Sequence, residues 1–529
     1  MGGLPSNESE RAGGSRCGIS AGHREPGEKG PPAPKSPGYR LDGEGTWLKF
    51  PEVGRGSQGD GVSADVTGTV EAAERDLLQL IRGEASPIAA YTRAEVVSRG
   101  EERLRRIRNL LEEAGRPERS YPVIHIAGTS GKGSVAAYVD AICQAAGIGA
   151  GLHMTPYLQT PLEKLVYRGR MAAPLEFREL VDWILDLQNR LRLKDQGHEA
   201  RYGSSWVALT MEYFRRKNVD VAILEAGAGG RFDLTNAVAP LITAVTSVGM
   251  DHVKTLGPTI QDIAWHKAGI FKEGTPALML ETDEEVLAVL RAEAKRVGAR
   301  LRILGMGTDF VVEPGRGVTF HGNNFRVEAA RPRMPGRHQL ENAAVAMAIA
   351  DEMAGAGFSI SSDDVGRGIR NARLPGRLEL VSERPDVYLD GAHNEDKAAA
   401  LARSLGELLG DRRLTLVLGV LGYKSVEAVT APLASLASKI VVTEPQVYMK
   451  RAYPAENLRK MASRYCEDVV CEPNPGQAMS AALADADPEE VICVAGSMYL
   501  VGNVRSRWYP LERVNAGGNS WPDRLEIDR

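Results

Sequence analysis

Val123-Ile124-His125-Ile126, followed one residue later by Gly128-Thr129-Ser130-Gly131-Lys132-Gly133-Ser134, reads as a strand that ends in a glycine-rich turn and leads into a helix. Such a unit aims backbone N–H groups and a helix N-terminus at one point, and that point suits a phosphate. Lys132 adds a positive charge there. Downstream, Val135, Val139, Ile142, Cys143 and Ala146 recur at offsets of three and four, so one helix face is apolar, and Gly147 offers a C-terminal stop. The common phosphate loop has Ser or Thr directly after its lysine to ligate magnesium, whereas here Gly133 intervenes and the hydroxyl comes at Ser134. A standard GTPase, kinase or transport ATPase is disfavoured.

Working outward, 529 residues exceed what one hydrophobic core serves, so two domains are expected. Hydrophobic content is 43% with no apolar run long enough to span a bilayer. A net charge of −4 predicts no general affinity for nucleic acid. The five cysteines, Cys17, Cys143, Cys466, Cys471 and Cys493, lack paired spacing, which argues against zinc ribbons and disulfide frameworks and for a reducing cytoplasm. Residues 1–69 are dense in Gly, Pro, Ser and mixed charge and read as a disordered extension without a secretory signal.

Helical periodicity begins near Val70 (Ala73, Leu77, Leu80, Ile81) and resumes at Leu104, Ile107, Leu110 and Leu111. After the glycine-rich turn come apolar runs at Val219–Leu224, Leu241–Val248 and Pro276–Leu280, with helical patterns at Trp206–Arg216 and Ile260–Ile270. Strands alternating with helices imply a mostly parallel sheet covered on both faces. Phe310–Val312, Val318–His321 and Phe325–Val327 predict a small antiparallel excursion. A second alternation starts after Leu374-Pro375-Gly376, with strands at Val387–Asp390, Leu414–Leu418, Lys439–Thr443 and Val491–Val494. Two α/β domains leave a cleft between them, with ligands off the carboxyl ends of the strands.

Two side chains stand out at such ends. Glu225 closes the strand Val221–Glu225 and precedes Ala226-Gly227-Ala228-Gly229-Gly230-Arg231, a place suited to holding magnesium against nucleotide phosphates. Asp251-His252 follows another strand by way of Gly249; His252 taken alone reads equally as a metal ligand and as a structural or surface residue.

The blocks GTSGKGS (128–134), LEAGAGGRFDLTN (224–236), TSVGMDH (246–252), HKAGIFK (266–272), GRHQLENAA (336–344), LPGRLE (374–379), LDGAHN (389–394) and GSMYLVG (496–502) together resemble the folylpolyglutamate synthase/dihydrofolate synthase family of the Mur ligase superfamily. They occur in family order and span residues 70 to 507. The resemblance implies an α/β fold: a P-loop-containing, mostly parallel sheet domain followed by a smaller Rossmann-like α/β domain. It divides the chain into an extension (1–69), an ATP-binding central domain (70–373), a C-terminal α/β ligase domain (374–510) and a tail (511–529). It implies a cytoplasmic, monomeric enzyme that binds neither nucleic acid nor membrane and uses ATP and two magnesium ions. The implied reaction phosphorylates a carboxylate of dihydropteroate or a reduced folate, and the amino group of L-glutamate then displaces phosphate from the acyl phosphate.

Residue by residue, the resemblance assigns Gly128, Thr129, Ser130, Gly131, Lys132, Gly133 and Ser134 to the ATP phosphates, with Lys132 also catalytic. It assigns Thr155, Glu225 and His252 to metal, and Lys267 to metal and catalysis as a lysine the family commonly carries as a carbamate. By sequence alone Lys267 is a helical lysine of the kind more often solvated. Asn342, Arg377 and Asp390 match nucleotide contacts. His393 matches a catalytic and substrate residue at the phosphate and glutamate end of the cleft, and Ser497 and Tyr499 match positions for glutamate. Departures fall near the acceptor: Gln159-Thr160-Pro161-Leu162-Glu163-Lys164 replaces a segment with an aromatic and an arginine, Ser204-Ser205-Trp206 stands where a Phe-Glu pair is usual, Glu395 replaces a proline, and Tyr423-Lys424 an acidic-lysine pair. These departures leave open which pterin is used and which of the two synthase activities is present. Rival readings are a Mur-like amide ligase with another acceptor or amino acid, and a P-loop phosphotransferase or nucleotide-binding module.

Overall fold

The computed structural model describes residues 39–41, 47–49, 66–81, 92–194, 201–313, 315–422, 425–447 and 450–522. Most of the expected N-terminal extension, the Tyr423-Lys424 pair and the end of the tail lie outside them. Contacts divide the chain into two units, Met1–Val62 and Ser63–Arg529. In the first, β1 (Tyr39–Leu41) pairs antiparallel with β2 (Trp47–Lys49). Everything below concerns the second.

Its first helix, Val66–Leu78, begins four residues ahead of the predicted periodicity. Val66 to Thr69 are β-branched residues and a glycine, weak helix formers that carry no apolar stripe. Burial of Val70, Ala73 and Leu77 against the helix Pro174–Lys194 stabilises the element as a whole.

The larger sheet has eight strands: β3 (Val123–Ala127), β4 (Ala150–His153), β5 (Val166–Tyr167), β6 (Arg170–Met171), β7 (Val221–Glu225), β8 (Ile242–Val245), β9 (Pro276–Leu280) and β10 (Arg300–Leu304). Their spatial order is β10-β9-β8-β3-β7-β4-β5-β6. From β10 to β4 all neighbours run parallel, and only the short β5 and β6 are antiparallel. Every residue of β3 and β7 is buried, as strands covered on both faces must be. The predicted excursion forms a separate antiparallel sheet of β11 (Phe310–Glu313), β12 (Gly317–His321) and β13 (Arg326–Ala330).

The third sheet is built from β14 (Glu379–Ser382), β15 (Asp386–Leu389), β16 (Leu414–Leu418), β17 (Lys439–Val442), β18 (Val469–Cys471) and β19 (Val491–Ala495), in the order β14-β15-β19-β16-β17-β18. Four of these are the predicted strands. The other two, β14 and β18, are short edges, and β14 alone is antiparallel to its neighbour. Among the described residues no helix is long and apolar enough to cross a membrane.

Candidate active site

The phosphate loop follows β3, at the middle of the large sheet, and enters the helix Lys132–Ala145 through Gly131 at φ 84°. Two glycines there have no substitute. A Cβ on Gly128 would lie 2.0 Å from Thr246 Oγ1, and one on Gly131 2.3 Å from Asn342 Oδ1. The segment after β8 clamps the loop: Thr129 N donates to Ser247 O (2.8 Å), Thr129 Oγ1 to Gly249 O (3.0 Å), Ser130 N to Ser247 Oγ (3.0 Å) and Thr246 Oγ1 to Ser130 O (2.5 Å). Ser130 Oγ is shielded from water and has no hydrogen-bond partner among the described residues. A loop fixed by its walls, glycine-bound to them and holding an orphaned hydroxyl, fits a phosphate group. Ser134 Oγ, by contrast, accepts from Gln339 Nε2 at 3.2 Å, and Asn342 Nδ2 donates to Gln339 Oε1 at 3.2 Å. Asn342, expected at the nucleotide, therefore lies against the loop, while Ser134 ties the loop helix to the helix Arg337–Gly355.

Glu225 ends β7, the strand beside β3, and faces Lys132 with Nζ 4.0 Å from Oε1. Lys132 Nζ also donates to Gly128 O at 3.0 Å. Thr155, just after β4 on the far side of β7, donates its backbone N–H to Glu225 Oε2 at 2.9 Å. Burial pushes the Glu225 carboxyl up, and Lys132, the Thr155 N–H, Arg377 and Lys397 pull it back. The glycine loop behind Glu225 is fixed by Asp233, whose Oδ2 accepts from Gly227 N (3.0 Å) and Ala228 N (3.2 Å).

Lys267 departs from its solvated expectation. It is 2% exposed on the helix Ile260–Ala268. Burial, then the charges of Lys132 and Lys397, hold its ammonium well below the usual lysine range, with Asp251 opposing. His252 sits at φ 51°, its side chain 46% exposed and Nε2 3.9 Å from Asp251 Oδ2. Among the described residues no three His, Cys, Asp or Glu side chains converge closely enough to hold an ion by themselves. The donors present, a carboxylate, a hydroxyl and an imidazole beside a phosphate loop, fit an ion that takes its remaining oxygens from nucleotide and water, as magnesium does.

The third sheet delivers its residues from the carboxyl ends of β15 and β19. Asp390 is the clearest surprise: Oδ2 accepts from Leu378 N and Oδ1 from Ala392 N, both at 2.8 Å, so its carboxylate organises the turn that carries Arg377. Arg377 Nη1 donates to Gly376 O at 3.0 Å, and its charge acts on both Glu225 and Asp390. His393 Nδ1 pairs with Gly391 O at 2.7 Å, and Nε2 lies 3.4 Å from Lys397 Nζ. Asn394 Nδ2 donates to Asp251 Oδ2 at 3.0 Å, a direct link between the two halves. Ser497 caps the helix Met498–Arg505 by accepting from Tyr499 N at 3.2 Å, and Lys450 Nζ donates to Tyr499 OH.

A cavity of about 440 Å³ brings together Thr155, Glu225 and His252 on one wall and His393, Ser497 and Tyr499 on the other, while the phosphate loop, Lys267, Asn342, Arg377 and Asp390 lie outside its lining. Lys164, Tyr202 and Trp206 line it too, so both altered acceptor segments meet here. Gln159 instead turns away and bonds Ser506 Oγ (3.1 Å), Tyr509 O (3.0 Å) and the buried Arg505. Asp233, Gln339 and Arg505 escaped the sequence reading because polar residues that brace backbone or neighbouring side chains carry no periodic signal.

Comparison with known proteins follows the same division. Residues 126–350 match the Mur ligase middle domain and residues 376–498 the Mur ligase glutamate ligase domain. The dihydrofolate synthase/folylpolyglutamate synthase of Bacillus subtilis is 32% identical over 413 residues, covering 76% of this chain and 94% of that protein. A Mycobacterium tuberculosis folylpolyglutamate synthase solved with ADP superposes with a TM-score of 0.73 at 30% identity, covering 84% of this chain and 98% of that one. An Escherichia coli relative solved with DHPP and ADP gives 0.67 at 27% identity, covering 76% and 92%.

Proposed function

This chain belongs to the folylpolyglutamate synthase/dihydrofolate synthase family of ATP-dependent ligases, and on that premise we propose that the cavity between its eight-stranded and six-stranded sheets is where a folate-type carboxylate is activated and joined to L-glutamate. One observation carries the reading. Lys132, in a glycine-bound phosphate loop, faces the buried Glu225 at 4.0 Å on the rim of a cavity whose opposite wall comes from the glutamate ligase domain.

In this reading ATP lies with its phosphates on residues 128–134 and its base side towards Asn342 and Arg377. Lys132 neutralises charge on the transferred phosphoryl group, which leaves ATP for the acceptor carboxylate and makes it an electrophile. The amino group of L-glutamate, held by His393, Ser497 and Tyr499, forms the amide bond and phosphate leaves. Asp390 acts here through backbone, by holding Arg377 in place. Thr155, Glu225, His252 and Lys267 would hold magnesium, which supplies further charge neutralisation at the phosphates. Burial that disfavours the Lys267 ammonium supports the carbamate: the deprotonated nitrogen adds to carbon dioxide and releases a proton, leaving an anionic oxygen ligand. Unpaired free cysteines at 143, 466, 471 and 493 support a cytoplasmic location.

Lys132→Ala and Glu225→Gln test the assignment. Each is expected to lower acceptor- and glutamate-dependent ADP release about 100-fold or more, the scale for losing one electrostatic contact to the developing charge. Turnover within threefold of wild type for either removes that residue from the site.

A further inference from the structure

Arg377 sits between two residues in left-handed backbone, Gly376 at φ 65° and Leu378 at φ 45°. Leu378 carries a side chain, so its conformation is strained and has to be held by its surroundings. Two carboxylates hold the turn, one on each side of Arg377. Asp390 Oδ2 accepts from Leu378 N at 2.8 Å, and Glu379 Oε2 accepts from Gly376 N at 2.9 Å. The Gly376 carbonyl is taken in turn by Gly391 N (2.9 Å) and Arg377 Nη1 (3.0 Å), so the bracket reaches the guanidinium itself.

The Glu379 side of this bracket leans on a segment beyond both matched ligase domains. After the helix Leu511–Gly517 the tail crosses from the large sheet to the third. Gly518 O accepts from Met171 N of β6 at 2.8 Å, and Ser520 O accepts from Arg505 Nη2 at 2.7 Å. Trp521 Nε1 then donates to Glu379 Oε1 at 2.9 Å, the same oxygen that the buried Arg505 Nη2 holds at 2.8 Å. Ser520 also lines a small cavity of about 80 Å³ together with Gly133, Glu225 and Arg377, which brings the tail to the phosphate end of the site.

We propose that Glu379 and Trp521 are positioning residues for Arg377: the tail's indole N–H, with Arg505, fixes the Glu379 carboxylate, and that carboxylate fixes the turn that aims the guanidinium at the nucleotide. The inference rests on the placement of Arg377 at ATP in the reading above and extends the working site to the tail.

Trp521→Phe deletes one N–H while keeping a ring beside Arg373 and Arg505. In steady-state kinetics of the full chain, KM for ATP should rise about fivefold, the scale of one hydrogen bond, with kcat and KM for L-glutamate within about twofold of wild type. Ending the chain after Gly518 removes Ser520 and Trp521 together and should raise KM for ATP at least as much. In an Arg377→Ala background, Trp521→Phe should add nothing further, because the group it positions is gone. Additive effects of the two substitutions, an unchanged KM for ATP in both tail variants, or an equal loss in kcat and every KM overturns the positioning role. If Arg377→Ala itself leaves KM for ATP unchanged, the placement of Arg377 at the nucleotide falls, and the positioning role with it. ADP release indifferent to acceptor and L-glutamate would instead sink the ligase reading.

Discussion

Gly131→Ala probes the phosphate loop most sharply, because two separable terms add at one residue. The first is conformational: φ is 84°, and an L-residue in the left-handed region costs about 1–2 kcal/mol. The second is contact. The new methyl would sit 2.3 Å from Asn342 Oδ1, whose own side chain is tied to Gln339 and through it to Ser134. Forcing that chain aside adds about 1–3 kcal/mol, for a total of about 2–5 kcal/mol. Gly147→Ala is the internal control: φ is 76°, but no atom lies within 4 Å of the added Cβ, so only the first term applies. Denaturant titration of both variants should show Gly131→Ala costing at least 1 kcal/mol more than its control, with a raised KM for ATP. Adding Asn342→Ala to Gly131→Ala should return the difference. If the two glycine variants lose equal stability, the contact between loop and Asn342 is not what the structure says it is.

Two predictions concern stability alone. His153 and His266 are held neutral by burial, each pushed down to about 4, so the unfolded chain takes up protons that the folded one refuses between pH 6.5 and 4. Stability from these groups is present above pH 6.5 and lost as pH falls; His153→Gln should flatten that slope by about 1.4 kcal/mol per pH unit in denaturant titrations. Asp140, raised by burial to about 7, acts in the opposite sense and lowers stability as pH rises towards 7. Arg505, wholly buried, grips Glu379 at 2.8 Å, so Arg505→Met should cost about 3–5 kcal/mol by removing the cation paired with a buried carboxylate. Combining it with Glu379→Gln should recover most of that loss, and an additive double variant would contradict the pairing.

Much of this was legible in sequence because the chemistry sits where periodicity changes. β7 ends in Glu225, and β3 and β8 run directly into Gly128 and the clamp at Thr246, so each transition from an apolar run to a turn is visible in the chain. β14 and β18 were not foreseen, since edge strands of three or four residues lack the length to show alternation. Nor were β4 and β10, or β5 and β6, which have two residues each. Lys267 reads as an ordinary helical lysine until tertiary packing buries it. Asp390 matches a nucleotide contact by motif, yet both its oxygens are occupied by backbone N–H groups. Lys164 and Trp206 are separated by 41 intervening residues and meet only because the segment after β4 folds back on the helix Tyr202–Lys217.

The central claim is that one cleft couples ATP cleavage to amide formation between two carboxylate-bearing substrates. ADP release, followed with L-glutamate and a dihydropteroate or reduced-folate acceptor supplied singly and together, tests it directly. Release that requires ATP and both substrates, with one glutamyl amide formed per ADP, is the predicted result. Release that needs only one of them, or neither, contradicts the account.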